Sequence, residues 1–184
     1  NKEYLKVIND SNLLINQYSR GLMAYNSVVT SNDIMVDVEI SKVIDEQIKI
    51  ISARFENAKI VNKINNNIKI KSSRLNFQII TQILIENALI YNDSKIPTII
   101  IYDKLDLKKR KVEIFFMDNG VGIADEFKEN IFSPFVRINA KKNIMGSGLG
   151  LTIAKISCEK IGGKLSLFDS NLNGTIFKIT LKII

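Results

Sequence analysis

The chain has 184 residues, 46% of them apolar and 24% charged, a composition typical of a globular protein large enough to bury a substantial core. It contains no histidine, which excludes a histidine–metal site, an imidazole general base and a phosphohistidine within this sequence. The net charge of +7 comes from lysines spread along the chain. Because aromatic residues are not interleaved with them, we expect no nucleic-acid partner.

Two further features concern the context of the chain. No apolar run approaches the roughly 18 to 20 residues that a membrane-spanning helix needs. The sequence begins at Asn1 without a methionine, so we expect a fragment of a longer protein. The single cysteine, Cys158, lies within a helical pattern, and we expect a small buried or half-buried side chain and not a reactive thiol.

The start of the chain carries apolar side chains at three- and four-residue steps, which predicts an amphipathic helix over residues 2–27. Such a stripe packs on a core or within a helical bundle, and a coiled-coil or dimer helix is an equally good interpretation. A polar run at residues 30–33 marks a boundary. We therefore predict two parts, residues 1–30 and residues 31–184.

Strands and helices alternate beyond this boundary. Period-two patterns predict strands over residues 34–40, 59–64, 67–71, 97–102, 110–117, 164–169 and 175–182, the second and third joined by an asparagine-rich turn. Helical spacing predicts helices over residues 41–58, from Ser72 or Ser73 to Tyr91, 124–130 and 149–161. This order predicts an α+β two-layer sandwich, in which a mixed β-sheet packs on helices, plus the N-terminal amphipathic helix.

An acid followed by two glycines stands at the end of a predicted strand, in the segment Asp118-Asn119-Gly120-Val121-Gly122-Ile123. Glycine lets the chain turn sharply and lets a ligand approach its backbone. Asp118 by itself is consistent with a simple turn residue. With Gly120 and Gly122 behind it, a carboxylate at the lip of a pocket that accepts a hydrogen bond from an exocyclic amine is the better interpretation.

A second glycine cluster, Gly146-Ser147-Gly148-Leu149-Gly150-Leu151, leads directly into an apolar helix. A glycine-rich helix N-terminus is an anion site, because its free N–H groups and the helix dipole point outward. The first cluster suits the edge of a base, and the second suits phosphates. Together they predict a nucleotide-binding site.

Several other side chains have two interpretations when they are considered alone. Asn87, within a predicted helix, is either a locally bonded amide or an oxygen ligand for Mg²⁺. Tyr91, one turn later, is either a core aromatic or a ring that stacks on a purine. Arg137 and Lys141 are either solvated or contacts for a terminal phosphate. Glu86 points about 100° away from Asn87 on a helix, which is poor geometry for a shared role.

Five segments, in this order and at this spacing, resemble the successive boxes of sensor histidine kinases. They are the Asn box at 86–91, the first glycine box at 118–123, the Phe box at 132–137, the second glycine box at 146–151 and the final Gly-Thr at 174–175. The resemblance covers residues 34–184. The helix at 2–27 is similar to the second helix of the dimerisation and phosphoacceptor hairpin in that family.

The resemblance implies a Bergerat ATP-binding fold of the GHKL type and a role for each matching residue. Asn87 would hold Mg²⁺ and act in catalysis together with Arg137, and Asp118 would recognise the adenine amine. The other implied contacts to ATP are Tyr91 and Ile123 at the base, Gly120 and Gly122 shaping the pocket, Thr175 at its floor, and Lys141, Gly146, Ser147, Gly148, Leu149, Gly150 and Leu151 at the phosphates. Residues 138–145 would form a lid.

The activity implied by the resemblance is transfer of the γ-phosphoryl group of ATP to a histidine outside this chain, for relay to a response regulator. The implied partners are a phosphoacceptor histidine domain, upstream or in a dimer mate, the response regulator, and a second copy in a homodimer. The implied location is the cytoplasmic domain of a membrane-anchored bacterial sensor.

Two positions depart from the pattern of the family. Ile83 stands where an asparagine or an acid is common, and Ile90 stands where a basic residue is common. Both changes remove polar groups near the metal and the phosphates, so a catalytically weak relative that acts as a nucleotide-binding or dimeric scaffold is the alternative. A mismatch-repair or chaperone ATPase of the same superfamily resembles the chain less, because the Phe-box segment is kinase-like.

Overall fold

The computed structural model describes residues 2–138 and 147–184. Its helices are α1 (Lys2–Thr30), α2 (Ile40–Ser52), α3 (Arg74–Ile90), α4 (Asp125–Lys128) and α5 (Gly150–Lys160). Its strands are β1 (Met35–Glu39), β2 (Lys59–Asn62), β3 (Lys69–Ser73), β4 (Thr98–Asp106), β5 (Lys111–Asp118), β6 (Lys164–Asn171) and β7 (Gly174–Lys182). In the described part of the chain, no helix combines the length and the apolar character needed to cross a membrane.

Five strands form one mixed sheet in the order β2-β4-β5-β7-β6. β2 runs parallel to β4, and the other neighbouring pairs are antiparallel. The inward face of this sheet packs on helices α2, α3 and α5, with core side chains such as Ile101, Ile114 and Phe77 fully buried. The α+β two-layer sandwich expected from the sequence is confirmed.

The predicted pairing of the two short strands is wrong. β2 joins the main sheet beside β4, whereas β3 pairs antiparallel with β1 in a separate two-stranded sheet. Pairing with β1 places Ile70 opposite Val38, and both side chains are at most 1% exposed. The burial of these apolar side chains in the core thus outweighs the local turn signal, which would have kept the two strands together.

The second helix is shorter than predicted. α2 ends at Ser52, and turn hydrogen bonds replace helical ones after it, from the Phe55 amide to the Ser52 carbonyl and from the Ala58 amide to the Phe55 carbonyl. Phe55 and Ala58 still pack against the core. The apolar spacing of Phe55 and Ala58 therefore reflects the burial of a turn and not the continuation of α2.

α3 and α5 carry the residues that matter for the site. α3 begins at the predicted cap, where the Ser73 hydroxyl oxygen accepts a hydrogen bond from the Asn76 amide at 3.3 Å. α5 begins at Gly150, and Gly162 and Gly163 follow its end, where the Gly163 amide donates a hydrogen bond to the Cys158 carbonyl at 2.8 Å. Both helices lie on the inward face of the sheet, so their ends at the site are fixed by the core.

Candidate functional site

A cavity of about 240 Å³ lies where α3, the end of β5, the start of β7 and the start of α5 meet. Most of the site residues predicted from the sequence line it: Asn87, Tyr91, Asp118, Gly122, Ile123, Arg137, Ser147, Gly148, Gly150, Leu151 and Thr175. These residues come from separate parts of the sequence. The fold therefore brings the two glycine clusters to opposite sides of one cavity.

Asp118 ends β5 and presents its carboxylate to the cavity. Its Oδ1 accepts hydrogen bonds from the Gly120 amide at 2.8 Å and from the Thr175 amide at 3.1 Å. Burial raises the pKa of the carboxyl above its ordinary value, and these two hydrogen bonds oppose the shift. Within the described residues both bonds use Oδ1, which leaves Oδ2 for the amine of a ligand.

The backbone around Asp118 is packed too closely for side chains. A β-carbon on Gly122, whose φ is +71°, would lie 1.9 Å from the Asn171 carbonyl oxygen. A β-carbon on Gly174, whose φ is +135°, would lie 1.9 Å from the Asp118 carbonyl oxygen. Glycine is thus required here for both conformation and space, and the β6–β7 turn is held directly against the end of β5.

Gly120, which the resemblance implies shapes the pocket, does not itself line the cavity. A β-carbon at this position would lie 2.5 Å from the Tyr91 carbonyl oxygen, and the same oxygen accepts a hydrogen bond from the Val121 amide at 3.2 Å. Gly120 therefore lets the loop close on the C-terminal end of α3.

Two residues that support the site were missed by the sequence reasoning. The side-chain oxygen of Asn119 accepts hydrogen bonds from the Thr98 amide at 2.7 Å and from the Asn92 side chain at 2.9 Å. Ser170, which is 5% exposed, accepts a hydrogen bond from the Ile123 amide at 2.9 Å. Asn119 stands inside the quoted motif and could have been found there, whereas Ser170 has no local sequence signal.

Asn87 and Tyr91 both line the cavity from the last turns of α3. Glu86 faces elsewhere, as its helical position predicts. It forms an ion pair with Arg54 and accepts a hydrogen bond from the Gln82 side chain at 3.1 Å. Because the carboxylate is held by these partners, Asn87 is the polar side chain that α3 offers to the cavity.

The second glycine cluster is joined to the Phe-box segment. The Phe135 amide donates a hydrogen bond to the Gly148 carbonyl at 2.9 Å, and the Phe132 carbonyl accepts one from the Thr152 hydroxyl at 3.0 Å. The Phe132 ring packs edge-on against Phe177, with ring centroids 6.2 Å apart. These contacts bring Arg137 to the cavity beside Gly148.

Leu149 does not line the cavity, although the sequence placed it among the phosphate contacts. Its side chain is 2% exposed and packs with Val28 of α1 and Ile153 of α5. Gly148 and Gly150 on either side of it do line the cavity. The chain thus alternates here, so that the glycine backbone faces the cavity while the leucine faces α1.

The apolar lining was largely missed by the sequence reasoning. It comprises Ala88, Ile90, Val121, Ile131, Val136, Ile138 and Phe177. Of the two departures from the family pattern, Ile90 lines the cavity, whereas Ile83 packs between the main core and the cluster of Val28, Leu149 and Ile153. Lys141, Gly146 and all but Ile138 of the expected lid lie outside the described residues.

Residues 72–183, more than half of the chain, match the family model described as histidine kinase-, DNA gyrase B-, and HSP90-like ATPase. The signal transduction histidine-protein kinase ArlS of Staphylococcus aureus (strain USA300) is 33% identical over 117 residues, 62% of this chain and 25% of the relative. The chain therefore spans about a quarter of the length of that relative.

Solved structures share the fold at low sequence identity. The mycobacterial sensor histidine kinase MprB matches with a TM-score of 0.70 and 21% identity, over 82% of this chain and 98% of its own. Full-length ShkA in complex with AMPPNP matches with a TM-score of 0.78 and 16% identity, over 99% of this chain and 38% of its own. With the match over residues 72–183, the chain belongs to the family of histidine kinase-, DNA gyrase B- and HSP90-like ATPases.

Proposed function

We propose that this chain is the ATP-binding catalytic part of a two-component sensor histidine kinase. The observation that carries the proposal is the convergence of one half-buried carboxylate, Asp118, and one glycine-lined helix start, Gly148 to Gly150, on the same cavity. The sequence contains no histidine, so the phosphoryl acceptor is a histidine outside it. The relatives named as histidine kinases favour catalysis over the scaffold alternative.

In this proposal the side of the cavity at Asp118, the base side, binds adenine, and the side at Gly148 and Gly150, the phosphate side, binds the phosphates. Asp118 accepts a hydrogen bond from the adenine amine, while Ile123 and the other apolar lining residues exclude water from the base. The amides at the start of α5 face the phosphates, and Arg137 offsets the charge of the terminal one. The acceptor nitrogen then attacks the γ-phosphorus, the bond to the bridging oxygen breaks, and ADP leaves.

Asn87 fits a magnesium site because an amide oxygen is a ligand that Mg²⁺ accepts. Within residues 2–138 and 147–184, no group of three acidic, cysteine or histidine side chains forms a metal site. A Mg²⁺ ion at Asn87 would take its other ligands from phosphate oxygens and water, and it would neutralise charge that develops during transfer.

The arrangement of the longer protein is part of the same proposal. α1 is the second helix of a dimerisation and phosphoacceptor hairpin, and residues 31–184 are the catalytic domain. Exposed apolar side chains along α1, among them Leu5, Ile8 and Met23, support pairing with a second copy. The histidine domain, the response regulator and a membrane anchor complete the proposed sensor.

Calorimetry with Mg–AMPPNP and Mg–GMPPNP tests the nucleotide site. We expect AMPPNP to bind with a Kd on the order of 1–100 μM, about −8 to −5.5 kcal/mol. GMPPNP should bind more weakly, because the exocyclic carbonyl oxygen of guanine would face the Asp118 carboxylate. Asp118→Asn keeps an oxygen for the Gly120 and Thr175 amides but offers a donor to the adenine amine. It should weaken AMPPNP binding about 10- to 100-fold, the loss of one charge-assisted hydrogen bond.

The control is Asp125→Asn, the same substitution at an exposed carboxylate paired with Lys128, which should leave the affinity unchanged. Incubation with γ-labelled ATP and a separate helical hairpin that carries a histidine then tests transfer. Equal binding of the two nucleotides, or an Asp118→Asn variant that binds like wild type, contradicts the site. Binding without transfer supports the scaffold alternative.

A further inference from the structure

α1 packs directly behind the side of the cavity formed by the second glycine cluster. Val28 of α1, Leu149 and Ile153 form one buried cluster, with exposed fractions of 5%, 2% and 6%. Leu149 stands between Gly148 and Gly150, which line the cavity. The backbone that faces the cavity is therefore supported on its other side by α1.

A glycine in α1 makes this approach possible. A β-carbon on Gly21 would lie 2.5 Å from the Ser147 Oγ, 2.8 Å from its Cβ and 3.1 Å from the Leu149 Cδ1. Since real β-carbons do not approach other atoms this closely, Ser147 fits against α1 only because position 21 has no side chain. One turn earlier, the Tyr18 ring contacts Phe135, with centroids 6.2 Å apart.

The C-terminal end of α1 is held by a second, polar contact. The Lys160 Nζ of α5 donates hydrogen bonds to the carbonyl oxygens of Val28 at 2.7 Å and Ser31 at 2.8 Å, and to the Ser31 hydroxyl at 2.9 Å. It also forms an ion pair with Asp33 at 3.2 Å. Asp33 in turn accepts a hydrogen bond from the Asn76 side chain of α3 at 2.6 Å. The end of α1 is thereby fixed to both helices that carry the site.

We propose that docked α1 preorganises the phosphate side of the site, so that its position and the affinity for the nucleotide phosphates are coupled. The inference rests on the proposed nucleotide function. Packing of α1 against Ser147 and Leu149 fixes the backbone of these residues before a ligand binds. When α1 is displaced, this backbone must be ordered during binding, and the entropy cost lowers the affinity. The base side is untouched, because Asp118 ends β5 and is held by Ile99 of β4 and Thr175 of β7 and not by α1.

Two variants displace α1 through different contacts, and neither replaces a residue that lines the cavity. Gly21→Leu fills the space that Ser147 occupies, and Lys160→Met removes the donors to Val28 and Ser31. For both we expect AMPPNP, measured by calorimetry, to bind about five-fold or more weakly, the lower end of usual coupling between sites. AMP lacks the β- and γ-phosphates, and its affinity, measured by NMR titration, should change less than about two-fold.

Two readouts follow the helix itself. Spin labels at Ser11→Cys in α1 and Lys108→Cys in the β4–β5 turn, both exposed, should report a broader distance distribution in each variant. By reciprocity, saturating AMPPNP should slow hydrogen exchange at the C-terminal end of α1 in the wild-type chain. The matched controls are Ala24→Leu on the exposed side of α1 and Lys164→Met at the exposed start of β6, and neither should change affinity or distance.

Three results would overturn the coupling. They are unchanged AMPPNP affinity in a variant whose labels show a displaced α1, equal weakening of AMP and AMPPNP, and labels that show α1 unmoved in both variants. A wild-type chain that binds no AMPPNP would instead contradict the proposed function. The two failures are therefore distinguishable.

Discussion

The two sides of the cavity are built by different means. The base side is backbone packed on backbone within the sheet, where Gly174 touches the carbonyl of Asp118 and Gly122 touches that of Asn171. The phosphate side is formed by residues 147–150 at the start of α5, which are hydrogen-bonded to Phe135 and supported by Val28 of α1. We expect the first side to move only if the sheet is broken and the second to move when α1 shifts.

This difference gives the two ends of a nucleotide different roles. In the proposed function, the Asp118 carboxylate is held by strand ends and would recognise the base whatever the position of α1. The glycine amides are supported by α1, so their affinity for phosphates would change as that helix moves. The contrast predicts that disruption of the backbone packing around Asp118 lowers stability, whereas displacement of α1 weakens the binding of the phosphates.

The largest expected effect breaks the base side. Gly174→Ala places a β-carbon 1.9 Å from the Asp118 carbonyl oxygen, and we expect a loss of about 3 kcal/mol of unfolding free energy. Differential scanning calorimetry should show Tm lowered by about 6–12 °C. In the matched variant Gly150→Ala, the β-carbon would meet Ile83 at 3.6 Å, an ordinary contact, so Tm should stay within about 2 °C. Equal Tm values for the two variants would contradict the claim that glycine is required at position 174 but not at position 150.

A smaller effect on the base side is the pH dependence of stability that the Asp118 carboxyl produces. The folded-state pKa of Asp118 is raised by burial, so its ionised form costs stability, and the cost grows as pH rises from the unfolded pKa through the folded one. Without nucleotide, Asp118→Asn should melt above wild type at pH 7 by less than the Gly174→Ala decrease. The difference should shrink as pH falls through the raised pKa.

The control for this experiment is Asp125, whose carboxyl pKa is shifted in the opposite direction. Lys128 lowers the pKa of the Asp125 carboxyl through a hydrogen bond and its charge, so the ionised form contributes stability above the unfolded pKa and loses it as pH falls. Asp125→Asn should therefore melt no higher than wild type at pH 7. An Asp118→Asn variant that melts below wild type at neutral pH would contradict the burial cost.

The smallest expected effect concerns the inner face of α5. Burial raises the pKa of the Cys158 thiol to about 12, so the reactive thiolate is scarce at pH 8. Iodoacetamide should leave Cys158 unmodified in wild type and in Gly21→Leu, but should modify it in guanidinium and faster in Gly174→Ala. Mass spectrometry measures the modification. Rapid alkylation of Cys158 in Gly21→Leu would contradict this expectation, because it would show that displacing α1 also loosens the packing of α5 on the core.

The sequence predicted much of the site because its motifs combine a chemical group with the backbone it needs. Asp118 before Gly120 and Gly122 predicted one side of the cavity, and the cluster leading into α5 predicted the other, and residues of both line it. The sequence alone could not show which contact makes each glycine necessary. Gly120 and Gly174 look alike in sequence, yet they are required by contacts with Tyr91 and Asp118 that arise only after folding.

Local patterns in the sequence determined the helices, most strands, the α+β class and the chemical identity of the candidate site. These follow from periodicity, caps and glycine positions, which act over a few residues. Tertiary structure alone decided that β2 and β3 part to separate sheets, that Leu149 turns away from the cavity, and that Gly21 receives Ser147. Each depends on packing between segments distant in sequence, and no local pattern records which surfaces will meet.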